Sequence, residues 1–102
     1  MRQSSKITDK QSIINVLITE KPILQNKFSV MKIGLFGSFS IDDATNESDI
    51  DILVEFDKPI GWEFFDLQDY LQNLFNRKID LVSTKALKPQ LRDKIINQTI
   101  FI

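Results

Sequence analysis

Asp49 and Asp51 stand one residue apart at the head of the apolar run DIDILVEF, and Gly37-Ser38 lies ten residues upstream of them. A third acid, Asp80, is set in a second apolar run, KIDLV. Side chains alternate along a strand, so Asp49 and Asp51 should share one face while Ile50 and Ile52 take the other. Two like charges about 6 to 7 Å apart by strand rise repel, and that cost calls for a cation or ready access to water. Mg²⁺ answers the first need, because it takes hard carboxylate oxygens together with water and the oxygens of a bound phosphate. A neighbouring strand bearing Asp80 would complete a set of three acids able to hold two ions. One ion would acidify an attacking hydroxyl, and the other would neutralise a triphosphate leaving group. With neither His nor Cys in the chain, Asp80 is the candidate base. Gly37-Ser38 follows an apolar stretch and should open a helical turn whose N–H groups and hydroxyl can hold a phosphate. Each feature alone has a plainer reading: acids that end strand pairing, a Gly-Ser turn, a solvated edge aspartate. Their combination at this spacing favours the nucleotide-site reading.

The elements that must position these residues are legible in the periodicity. Asp9 is a candidate N-cap for a helix with a buried stripe of Ile13, Ile14, Leu17 and Ile18, and Pro22 begins a second short helix or kinks the first. Residues 32–36 read as a strand, 41–48 as a loop, and 49–56 as a strand stopped by Asp57-Lys58-Pro59. Between Gly61 and Asn76 the apolar residues Phe64, Leu67, Leu71, Leu74 and Phe75 recur at helical spacing, with Trp62 and Phe65 widening the face. Trp62 is the aromatic expected to be exposed. Residues 78–82 form a third strand, Thr84 or Pro89 opens a last helix ending near Asn97, and the apolar tail 99–102 can dock back. The expected class is α/β (α+β): a small mixed sheet of about three strands flanked by helices, in one domain over residues 1–102.

The chain's 102 residues suit a single core. Thirteen basic and fourteen acidic residues give a net charge of −1, which offers no cation excess for a long DNA or RNA backbone. No apolar run reaches the ~20 residues of a membrane span, and the N-terminus lacks a signal pattern, so a cytoplasmic location is expected.

At these residues the sequence resembles the minimal nucleotidyltransferases of the DNA-polymerase-beta-like superfamily. The resemblance is carried by LFGSF, SDIDILVEF, GWEFFDL, RKIDLVS and ALKPQLRDKI in that order, and it spans most of the chain. It implies a nucleotidyltransferase fold, phosphate contacts at Gly37 and Ser38, and metal binding by Asp49, Asp51 and Asp80. It also implies ATP as substrate, with AMP transferred to a protein hydroxyl, and a HEPN-domain toxin as partner for which this chain is the antitoxin. Self-association stays open. After Gly-Ser the family continues with any residue, Ala, Arg and Gly, whereas this chain has Phe39, Ser40, Ile41 and Asp42. The alternative is a module of the same fold, weakly active or inactive, that neutralises its partner by binding it.

Overall fold

Asp9 caps the first helix, α1 (Lys10–Phe28), by accepting the Ser12 N–H at 2.7 Å. The computed structural model describes residues 9–45 and 48–102, so part of the expected 41–48 loop lies outside the described residues. Ile13, Leu17, Leu24 and Phe28 form the buried stripe of α1, and the helix stops at Ser29, whose left-handed backbone (φ 59°) returns an N–H to the Leu24 carbonyl. Two expectations need correction. Ile18 lies outside the stripe and is 53% exposed. Pro22 neither starts a new helix nor ends the first: α1 runs through it, because Pro22 and Ile18 both lie on the water-facing side, where solvent can serve the carbonyl that the proline leaves unbonded.

The chain then makes β1 (Val30–Phe36), a 3₁₀ turn (Gly37–Phe39), β2 (Ile50–Phe56), α2 (Glu63–Phe75) and β3 (Ile79–Ser83). A second 3₁₀ turn (Thr84–Ala86), α3 (Pro89–Gln98) and β4 (Ile100–Phe101) follow. Both proposed openers of the last helix are used, Thr84 for the turn and Pro89 at the first position of α3. The sheet has order β3-β2-β1-β4, with β1 antiparallel to β2 and β4, and β2 parallel to β3. It therefore has four strands where about three were expected, and β1 begins at Val30.

Alternation along β2 decides where the site can be. Ile50, Ile52 and Val54 are fully buried and join Ile33, Leu35 and Ile79 in the core with the apolar faces of α1 and α2. Leu67, Leu71 and Phe75 are the α2 contribution, at the four-residue spacing read from the sequence. Asp51 and Glu55 consequently face away from these helices. Trp62 is 83% exposed, in line with its expected exposure, and Phe65 is 55% exposed, so neither widens the core face as expected. Among the described residues, no helix is long and apolar enough to cross a membrane.

The tail does dock back. Ile102 donates its N–H to the Ile33 carbonyl at 3.0 Å, and Lys21 Nζ donates to the Ile102 carbonyl at 2.8 Å. Gly34 is the reason β4 can come so near, since a Cβ there would stand 2.5 Å from Thr99 Cγ2 and 2.9 Å from the Ile100 carbonyl oxygen. Gly34→Ala should therefore displace β4 at a cost of about 1–3 kcal/mol. Amide hydrogen exchange at residues 100–102 should rise sharply while the α2 amides keep their relative order of protection. Unchanged exchange at the tail would contradict this.

Candidate active site

β1 delivers Gly37-Ser38 from its C-terminal end, and β2 and β3 deliver the acids from their N-terminal ends. Because β1 and β2 are antiparallel and β2 and β3 parallel, these three strand ends coincide. Phe36 is the register partner of Asp51, and Asp51 is the register partner of Asp80. Contact between the turn and the acid is direct. Gly37 has φ +71°, and a Cβ built on it would overlap Asp51 Oδ2 and lie 2.8 Å from Asp51 Cγ and 3.0 Å from Asp51 Cβ. Glycine is required twice over at this point, by the positive φ and by the carboxylate against it.

The turn is held by its own backbone. Ser40 and Ile41 donate to the Gly37 carbonyl at 3.1 and 3.3 Å, and Asp43 donates to the Ser38 carbonyl at 2.8 Å. Asp42, at the position where the resemblance implies glycine, adopts φ +60°, a conformation that aspartate tolerates better than most residues. Lys10 Nζ meets the Asp42 carboxylate at 3.0 Å and ties the turn to the start of α1.

Asp51 is half-buried, whereas Asp80 is exposed. Burial, the charges of Asp80 and Asp49, and a hydrogen bond shared with Asp80 push the Asp51 carboxyl up from 3.8 to about 6. Asp49 stands just before β2 and is turned toward Lys78 Nζ at 3.8 Å. Among the described residues, no three acidic side chains close around a point where a metal could sit. The structure brings Asp51, Asp80 and Gly37 together, with Asp49 near enough to repel Asp51 but leaning outward. The acids lie away from a concavity of about 340 Å³, lined by Phe56, Lys58, Phe64 and Lys85 among others, at the opposite ends of β2 and β3.

The residues missed in the sequence are Arg77, Lys10 and Lys78. Arg77 lies with its guanidinium carbon 5.2 Å from the centre of the Phe39 ring. The only sequence signal was its place directly before the third strand.

The polymerase beta nucleotidyltransferase family model matches residues 19–102. A candidate protein adenylyltransferase of Methanocaldococcus jannaschii is 41% identical over 92 residues, which are 88% of this chain and 94% of that protein. The protein adenylyltransferase MntA of Thermococcus cleftensis is 32% identical over 93 residues, covering 90% of this chain and 94% of that one. Among solved structures, a candidate minimal nucleotidyltransferase superposes with a TM-score of 0.81 at 23% identity, over 95% of this chain and 98% of that one. A toxin–antitoxin complex with AMP-PNP gives 0.65 at 25% identity, over 90% and 70% of the two chains. The Shewanella oneidensis complex of a tri-AMPylated HEPN toxin with MNT antitoxin gives 0.57 at 24%, over 90% and 66%. The strand order, the glycine turn abutting an acid and these relationships lead to one conclusion: the chain belongs to the polymerase beta nucleotidyltransferase family and is a nucleotidyltransferase.

Proposed function

We propose that the chain transfers AMP from ATP to a hydroxyl of a HEPN-domain toxin and acts as that toxin's antitoxin, with Mg²⁺ required. The observation that carries this is the contact of Gly37 with Asp51 and the pairing of Asp51 with Asp80 across the β2–β3 ladder. A glycine turn able to offer backbone N–H groups to a phosphate thus lies beside two paired carboxylates. The adenylyltransferase relatives and the toxin–antitoxin structures support the substrate and the partner.

The donor set suits Mg²⁺ in its chemistry. Asp51 and Asp80 offer hard carboxylate oxygens; burial first and then the charge of Asp80 push the Asp51 carboxyl up, and a divalent ion would relieve the repulsion between the two. Asp49 would join them on leaving Lys78, an exposed and weak pairing. Bound Mg²⁺ supplies charge neutralisation for the triphosphate and acidifies the attacking hydroxyl. The protein's own contribution begins with the N–H groups of the turn and the Ser38 hydroxyl, which hold the phosphates. The acceptor oxygen forms a bond to the α-phosphorus, the bond from that phosphorus to the β-phosphate's bridging oxygen breaks, and pyrophosphate leaves. The hydroxyl proton passes to Asp80, the more exposed acid. A cytoplasmic site of action fits an ATP-dependent reaction of this kind.

Ile41, 54% exposed where the family carries arginine, favours a second reading in which the fold neutralises the toxin by binding alone. One experiment separates the two. The protein is mixed with a HEPN-domain toxin, ATP and Mg²⁺, and both chains are weighed intact, with Asp49→Asn/Asp51→Asn as control. The toxin should gain one or more adenylate masses only with the unaltered protein. Unchanged masses in a stable complex would establish the binding module instead.

A further inference from the structure

Arg77 touches both halves of the site without belonging to either. Its guanidinium covers the face of Phe39, the third residue of the Gly37–Phe39 turn, and Phe39 is itself 2% exposed. Arg77 Nη2 donates to the Ser48 carbonyl, immediately ahead of Asp49, and reaches the Thr45 carbonyl at 3.4 Å. Its backbone opens the segment that carries Asp80. The next residue, Lys78, accepts the Ile50 N–H at 3.1 Å through its carbonyl, which begins the β2–β3 ladder. One side chain thus joins the phosphate-side turn, the end of the loop leading to Asp49, and the root of β3.

We infer that Arg77 is a positioning residue that sets the separation between the turn at Gly37-Ser38 and the carboxylates, and thereby sets affinity for the nucleoside triphosphate. This rests on the site reading above. The two ends of the loop converge on the guanidinium, so losing it frees the turn and Asp49 to move independently. Arginine suits the role because its planar fork can stack on a ring and donate to carbonyls at once, whereas a lysine ammonium cannot do both equally well.

The test measures ATP binding with Mg²⁺ by isothermal titration in the absence of any acceptor, followed by KM and kcat with the acceptor protein. Arg77→Ala, Arg77→Lys and Phe39→Leu are compared with the unaltered chain. Arg77→Ala should weaken ATP binding and raise KM about tenfold or more with kcat within about threefold. Arg77→Lys should recover part of that loss, and Phe39→Leu should show a smaller rise in KM. If Arg77→Ala fails to fold, the Lys and Leu variants carry the comparison. A lowered melting temperature and kcat with ATP affinity unchanged in all variants would overturn the inference and leave Arg77 a structural brace. An unaltered protein that binds no ATP would instead remove the site reading itself.

Discussion

Asp51→Asn should abolish adenylyl transfer and yet raise the melting temperature of the ligand-free protein. The activity loss follows from removing the carboxylate that touches the turn and pairs with Asp80. Losing several kcal/mol of charge stabilisation corresponds to a drop on the order of 10³-fold in kcat. The gain in stability has a separate cause. An acid whose carboxyl is pushed up on folding favours the folded state only when protonated. Ionised Asp51 therefore costs nothing below about 3.8, costs progressively more as the pH climbs, and exerts its full penalty above about 6. A rise from 3.8 to about 6 corresponds to about 3 kcal/mol. Because Asp51 is only half-buried, solvent screening reduces this to about 1 kcal/mol, or about 4–8 °C in a domain of this size.

Asparagine has nearly the same shape, carries no charge and can still donate to Asp80. At pH 7.5 the variant should melt higher than the unaltered protein, and the gap should close as the pH is brought toward 4. Adding ATP with Mg²⁺ should reverse the order, since only the unaltered protein gains from binding. A variant that melts lower at pH 7.5, or a gap indifferent to pH, would show that the site stores no such repulsion. The trade between stability and activity is what a functional carboxylate pair produces.

Strand alternation made the most informative part of the site visible in the sequence. Once Ile50, Ile52 and Val54 are assigned to the core, Asp51 must face the other way, and Asp80 is related to Ile79 and Leu81 in the same manner. Pairing of β2 with β3 then turns two sequence patterns into one spatial neighbourhood. The start of β1 was not legible because its register shifts between Val30 and Lys32, which breaks the period-two pattern over Val30 and Met31. Two residues of β4 carry too little pattern to announce a strand; the usable signal was Gly34 inside an apolar run, a mark of close backbone approach. Ile18 was misplaced because the apolar residues of α1 fit more than one stripe, and only packing against the sheet selects the one through Leu24. Arg77 escaped notice for a different reason: its partners are a ring and carbonyls from segments about 30 residues away, and no local spacing encodes that.

Gly37→Ala should be the most damaging single-methyl change in the protein. At φ +71° any L side chain is strained, by about 1–2 kcal/mol. The added methyl must also displace Asp51, whose Oδ2 it would overlap and whose Cγ and Cβ lie 2.8 and 3.0 Å from it. Neither side can yield cheaply, because Phe36 and Asp51 are register partners in the β1–β2 ladder. Overpacking adds about 1–3 kcal/mol, so the total should be about 2–5 kcal/mol, with ATP binding lost as the turn shifts. A double-mutant cycle identifies the cause. Asp51→Ala removes the overlapped oxygen and the Cγ but leaves the Cβ, so in that background Gly37→Ala should cost at least about 1 kcal/mol less than in the unaltered protein. The strain at φ remains in both backgrounds and cancels from the coupling. Additive effects on unfolding free energy in denaturant would mean that Gly37 and Asp51 do not touch, and the carboxylate would then have no phosphate-binding turn against it.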